Sequence, residues 1–338
     1  MEKYVALSKA ANNIYKDYSP QIEPFGLDEN YIDVTGIENG GGEYVAQQIR
    51  GRIKKELGIT VSIGVSFTRS FAKLASDMKK PDAVTVIPRD RFKEIVWPLP
   101  VSELYFVGPA TTKKLKWDCI HTIGDLAQAN PELLKRRLGK NGLLIWRNAR
   151  GEDDDPVAEL GWRPPIKSIG NSTTTPKDLI EIPDIRMTAM LLAESVAERM
   201  RIQALKCRTV QVWLRYNDMT SFDHQTPLPF PCCTAQRIGE AAVNLILTRR
   251  RKDVPIRSIG VRACNLSLDE TPQLSFLPEQ AQEQKQEDLE TTIQDIRRRF
   301  GHFSIERGIM LCDRRLSGLD MRDKASSQSV AFFRGERE

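Results

Sequence analysis

Nowhere does this 338-residue sequence run to the roughly 18 consecutive apolar residues that a membrane-spanning helix needs, and its start, Met1-Glu-Lys-Tyr4, lacks the apolar stretch of a secretory signal. A cytoplasmic chain with no membrane partner is expected. The six cysteines, Cys119, Cys207, Cys232, Cys233, Cys264 and Cys312, contain no CxxC pair, which argues against a zinc knuckle and against a disulfide framework. They are expected to be small core residues or exposed thiols. Nor is the composition that of a disordered or collagenous chain: 28% charged and 40% hydrophobic residues fit two or three globular domains.

What the chain does have is an uneven charge. Residues 163–262 hold 16 Lys+Arg against 9 Asp+Glu, whereas residues 263–312 hold 5 against 9. The first segment is a candidate polyanion binder, but a solvated surface with chance clustering gives the same count, so spatial pattern must decide.

Residues 4–18 place Tyr4, Leu7, Ala11, Ile14, Tyr15 and Tyr18 on one helical stripe, followed by an extended run Gln21–Thr35, a turn cluster at Gly36–Gly42 and a second helix at Tyr44–Leu57. Thr60–Val65 alternates as a strand, Ser66–Met78 repeats apolar residues at helical spacing, and Ala83–Ile87 is a short apolar strand, so residues 1–87 read as an α/β unit. Short capped helices follow from Pro88 to Gly161, clearest at Asn130-Pro131-Glu132 with Gly139 as the stop. The acidic run Glu152–Asp155 and Trp162-Arg-Pro-Pro165 read as a linker, because prolines resist helix and charges resist burial.

Beyond it come a strand (Ile166–Thr174), a helix (Asp184–Leu205), two strands (Cys207–Tyr216, Ser221–Thr226), a helix (Thr234–Thr248) and a strand (Ile256–Leu268), a ferredoxin-like β-α-β-β-α-β order. Alternation turns Ser168, Gly170, Ser172 and Thr174, Gln211, Trp213 and Arg215, and Ser258, Gly260, Arg262 and Cys264 away from the core. Small, hydroxyl-bearing and basic residues on a bare sheet face suit close approach to a phosphate backbone. A merely solvated face is the plainer alternative.

Two further elements carry chemistry. Asp28 and Glu29 are adjacent carboxylates inside an apolar extended segment, able to serve one site only at a bend or hairpin tip, which Gly26 permits. Such a pair can hold Mg²⁺, though an isolated Asp-Glu is more often solvated turn surface. Lys73 and Lys80, seven apart around the end of a helix, return to nearly one face and suit a triphosphate, while Lys73 and Asp77 are also spaced for an ordinary helical ion pair.

Taken in order, Glu23-Pro-Phe-Gly-Leu-Asp-Glu-Asn-Tyr-Ile-Asp-Val-Thr35, Ile63-Gly-Val-Ser66 and Ala72-Lys-Leu-Ala-Ser-Asp-Met-Lys-Lys-Pro81 resemble the palm signature of Y-family translesion DNA polymerases of the bacterial DNA polymerase IV type. The likeness continues through Leu99-Pro-Val101, Lys113-Lys-Leu115, Arg150-Gly151, Lys167-Ser-Ile-Gly170 and Ile256–Arg262. It implies an α+β multidomain fold: a partial palm at 1–87, a DNA-gripping helical thumb at 88–161 and a little-finger domain at 163–268. It further implies two Mg²⁺ ions held in part by Asp28 and Glu29 and a deoxynucleoside triphosphate contacted by Lys80, with Lys73 the second candidate from its spacing; primer-template DNA is expected at Gly170, Ser172, Thr174, Arg215, Arg257 and Arg262 of the third domain. Gly26 stands where the family usually has Ser, and the glycine-rich phosphate-binding turn of the thumb is only partly kept as Phe106-Val-Gly-Pro109.

The sequence begins where the resemblance is already under way, so the first palm strand with its metal-binding aspartate, and the fingers, are expected to be missing or supplied by a separate N-terminal fragment. At the other end, Thr271-Pro-Gln-Leu-Ser-Phe-Leu277 resembles a bacterial sliding-clamp-binding peptide with anchors Gln273, Leu274, Phe276 and Leu277. A charged helix at Glu283–Phe300 and a mobile tail at 313–338 complete the reading. The expected function is lesion-bypass DNA synthesis, crippled in these residues alone; the alternative is a non-catalytic module binding damaged DNA and the clamp. A nucleotidyl cyclase shares a palm-like sheet but has neither the β-α-β-β-α-β domain nor the clamp peptide.

Overall fold

Asn130 accepts a hydrogen bond from the Glu132 N–H at 2.9 Å, Pro131 fills the first turn and Gly139 ends the helix, as the local spacing predicts. The computed structural model describes residues 2–37, 41–153, 155–162, 165–268 and 278–318. The chain divides into two compact units between Trp162 and Arg163.

In the first unit, α1 (Glu2–Tyr15) leads into a hairpin of β1 (Ile22–Pro24) and β2 (Asn30–Ile32), and α2 (Gly41–Leu57) follows. Ala11, Ile14, Ile22, Ile49 and Ile53 form their common core. Strands β3 (Ile63–Ser66) and β4 (Val84–Ile87) pair in parallel, connected through α3 (Arg69–Met78). Gly64 sets how closely α3 can lie: a Cβ there would stand 1.9 Å from the Ala72 carbonyl oxygen and 2.5 Å from the Ser76 nitrogen. Only glycine fits such an approach.

Five short helices follow: α4 (Phe92–Val96), α5 (Pro109–Trp117), α6 (Ile123–Gln128), α7 (Pro131–Leu138) and α8 (Lys140–Ala149). Phe71, Leu74 and Ile87 are buried in one cluster with Val96, Leu115, Leu126, Leu134 and Ile145. The expected palm and thumb segments thus share a core, and no core boundary falls at Pro88.

The expected linker also packs. Ser70 donates from its N–H (3.1 Å) and hydroxyl (2.9 Å) to Asp153 Oδ2, the Ala158 N–H donates to Glu23 Oε2 at 2.9 Å, and the Leu160 N–H donates to the Pro20 carbonyl at 3.1 Å. The negative charge of Asp153 did not keep it in solvent, because the first turn of α3 leaves N–H groups that a carboxylate satisfies.

The second unit holds a four-stranded antiparallel sheet in the order β5-β8-β6-β7, built from β5 (Ser168–Leu179), β6 (Leu205–Tyr216), β7 (Ser221–Cys232) and β8 (Ile256–Leu268). Helices α9 (Ile182–Ile202) and α10 (Ala235–Arg249) bury Leu192, Val196, Ile238 and Ile246 against Val212, Leu214, Ile259 and Val261. The β-α-β-β-α-β order is as expected, but β7 runs six residues beyond Thr226. Pro227, Pro229 and Pro231 are tolerated there because β7 is an edge strand and alternate N–H groups point away from its partner.

Two helices close this unit: α11 (Pro278–Phe300) and α12 (Arg314–Ser317). The charged helix is a packed element. Glu290, almost fully buried, meets Arg201 and Arg307, each at 2.8 Å, and accepts from the Ala235 and Gln236 N–H groups at 2.7 and 3.1 Å. Lys206 pairs with Glu287 and Arg237 with Glu283. Part of the positive excess of residues 163–262 is therefore spent on the acidic stretch that follows it. The tail expected to be mobile from 313 is ordered to Gly318: Asp313 caps α12 and Leu316 is buried in the core of this unit.

Candidate active site and nucleic-acid interface

Asp28 and Glu29 stand at the tip of the β1–β2 hairpin, where the Phe25 N–H (2.9 Å) and Gly26 N–H (3.2 Å) both donate to the Glu29 carbonyl. The bend does not depend on glycine at position 26. That residue is not among those with positive φ, and a Cβ there would meet only Asp28 Oδ1, at 3.8 Å. The two carboxylates take different partners. Asp28 lies near the Tyr4 hydroxyl, and its carboxylate, with a smaller effect of burial, raises the Tyr4 pKa; Glu29 Oε1 accepts from Lys73 Nζ at 2.9 Å.

Lys73 also reaches Asp77 Oδ2 at 2.9 Å, and Asp77 Oδ1 lies 2.6 Å from Lys80 Nζ. Glu29, Lys73, Asp77 and Lys80 thus form a row of alternating charge. Burial alone would lower the Lys73 pKa, but its bonds to Asp77 and Glu29 outweigh that and raise it. Asp77 responds inversely: burial would raise its carboxyl, and Lys80 and Lys73 hold it below the ordinary value. Lys73 and Asp77 make the pair that helical spacing predicts, whereas Lys80 lies past the end of α3 at Met78, with Lys79 already extended. Asp77 joins the two lysines.

Asp28, Glu29, Lys73 and Lys80 line one cavity of about 940 Å³, together with residues of β2 and β3 that include Asn30, Ile32, Ile63 and Val65. The two sheets share no strand pairing across it. Beside it, Tyr31 is pushed up to about 12 by burial, against the lowering effect of Arg69, whose guanidinium lies 4.6 Å from the ring centroid. Arg69 is itself bound to Glu23. Tyr4, Tyr31, Arg69 and Asp77 frame the carboxylates, and of these sequence spacing marked only Asp77.

On the four-stranded sheet, register sets Gly170 beside Arg262 and Arg262 beside Gln211; Ser172, Gly260 and Trp213 form the next row, and Thr174, Ser258 and Arg215 the one after. The expected outward residues thus share one face. Arg215 and Arg262 are exposed, and Arg257 lies 3.9 Å from Asp178. The two glycines make room for neighbours: a Cβ at Gly170 would come 3.0 Å from Arg262 Cβ, and one at Gly260 would come 3.2 Å from Ser172 Cβ and 3.4 Å from Trp213 Cε3. Each glycine thus lets side chains of neighbouring strands pack closely against it.

Comparison with known proteins bears on both sites. Residues 1–77 match the impB/mucB/samB family and residues 166–276 match the C-terminal domain of that family. The chain is 44% identical over 317 residues to DNA polymerase IV of Acetivibrio thermocellus, covering 93% of this chain and 79% of that protein. It belongs to the Y family of DNA polymerases, of the DNA polymerase IV type. DNA polymerase IV of Clostridium acetobutylicum is 32% identical over 312 residues, covering 92% of this chain and 78% of the relative. A solved Y-family DNA polymerase chimera shares the fold, with a TM-score of 0.67 at 21% identity over 79% of this chain and 77% of its own.

Y-family membership implies divalent metal use. Asp28 and Glu29 offer the hard oxygen donors that Mg²⁺ takes, but among the described residues no group of three or more His, Cys, Asp or Glu could hold a metal. The fit is to two ligands of such a site. Among the described residues no helix is long and apolar enough to cross a membrane. The clamp-peptide residues Gln273, Leu274, Phe276 and Leu277 lie outside the described residues.

Proposed function

We propose that this Y-family polymerase performs template-directed DNA synthesis past lesions in the cytoplasm, with Asp28 and Glu29 as ligands of two Mg²⁺ ions. The observation that carries the reading is that Asp28, Glu29, Lys73 and Lys80 line one cavity, with Asp77 joining the two lysines, so that oxygens for cations and ammonium groups for a triphosphate face one space. When bound, the metal would activate the primer hydroxyl and offset charge on the transferring phosphate. The protein's own share is positioning. Asp77 holds Lys73 and Lys80 toward the incoming phosphates, and the hairpin tip holds both carboxylates where the primer end must come.

Gly170, Ser172, Thr174, Arg215, Arg257 and Arg262 grip the phosphate backbone of primer-template DNA, and Gln273, Leu274, Phe276 and Leu277 dock the protein on the bacterial sliding clamp. A second reading, a non-catalytic module for damaged DNA and the clamp, is favoured by the finding that among the described residues no group of three or more His, Cys, Asp or Glu could hold a metal. Mg²⁺-dependent primer extension by the protein separates the two readings.

A further inference from the structure

Phe106 has a φ of 70°, in the left-handed region where a bulky side chain bears a cost that glycine escapes. Burial does not compensate for it, since 53% of the residue remains exposed. Its ring instead leans on Tyr105, with centroids 3.9 Å apart; Tyr105 meets Phe25 edge-on at 5.1 Å, and Phe25 meets Tyr31 at 5.5 Å. This aromatic row leads from the carboxylate hairpin to the start of α5. Burial first, then the Glu29 charge, raises the Tyr105 hydroxyl, so that ring stands within electrostatic reach of the hairpin tip.

Past Phe106, α5 carries Lys113 and Lys116 on the side that also presents Trp117, and Lys113 lies 5.4 Å from the Trp117 ring centroid. An exposed ring on a strained backbone, continuous with the polymerase site and flanked by lysines, matches a ligand with apolar faces and charged edges. We propose that Phe106 packs its exposed ring face against the sugar and base of the DNA strand whose end is presented to Asp28 and Glu29. The proposal rests on the polymerase reading above and adds a positioning contact that is apolar. It therefore contributes affinity without releasing counterions.

The test is titration of the full chain with a primed template bearing a recessed 3′ end, read by fluorescence anisotropy at several salt concentrations. Phe106→Ala and Phe106→Gly should both bind about tenfold more weakly, with the slope of log affinity against log salt unchanged. Phe106→Gly should also melt at a higher temperature than the wild type, because it relieves the left-handed backbone. Wild-type affinity in Phe106→Gly would overturn the proposal, and so would a shallower salt slope, which marks a lost phosphate contact. Wild-type protein that fails to bind primed template at all would instead bring down the polymerase reading, and this proposal with it.

Discussion

Lys73 and Lys80 share one carboxylate: Asp77 accepts from the first at 2.9 Å and lies 2.6 Å from the second. A small acidic side chain thus bridges two ammonium groups, one inside α3 and one just past its end, and the same row continues to Glu29.

This arrangement fixes a pH dependence. Asp77 titrates below its ordinary 3.8, so its pairing contributes stability above that value and is lost as pH falls through the lower folded value. Lys73 titrates above 10.5, so its contribution is full below that value and is lost as pH rises past the folded one. Asp77→Asn should flatten the acid limb of thermal stability and reduce the alkaline loss. Melts of both proteins across acid and alkaline pH check this, and identical limbs would contradict it.

Gly64→Ala should be among the most disruptive single-methyl changes in the chain, because the added carbon meets backbone atoms of α3 at 1.9 and 2.5 Å. Separation of α3 from β3 is expected to cost about 3 kcal/mol. Chemical denaturation of the full chain should show the loss in the transition of the first unit, with that of the second unmoved.

Glu290→Ala leaves Arg201 and Arg307 without their buried partner and frees two N–H groups at the start of α10. Removing one member of such a network costs about 3–5 kcal/mol. The second unit should lose that much in denaturant titrations, whereas Arg298→Ala, on an exposed pair with Asp295, should change little.

Arg215→Glu and Arg262→Glu should each weaken DNA binding regardless of sequence and reduce the magnitude of the salt slope by about one. Filter binding or anisotropy on two unrelated sequences measures it. Loss on one sequence alone would mean that the face reads bases.

How far these features were legible depends on the range of the contacts behind them. The β-α-β-β-α-β order and the outward rows followed from period-two alternation, and the Asn130 cap from three adjacent residues, since each is a local consequence of the chain. The hairpin tip was legible from Asp28 and Glu29 being neighbours. Asp153 bonding Ser70, 83 residues away, was not, because nothing near Asp153 signals an open helix terminus elsewhere. The same blindness made α11 read as a merely charged helix and left Leu316 in an expected tail, although both pack against partners some hundred residues earlier. At Gly170 and Gly260 alternation gave the face, but not the Arg262, Ser172 and Trp213 side chains of neighbouring strands that stand close to them.

The most direct test of the metal-site reading is Mg²⁺-dependent primer extension by the protein, compared with its Asp28→Ala and Glu29→Ala variants. Incorporation should be robust in the wild type and abolished in both variants, while affinity for primed DNA stays at the wild-type level. Retained incorporation in both variants would place the metal site elsewhere and contradict the account.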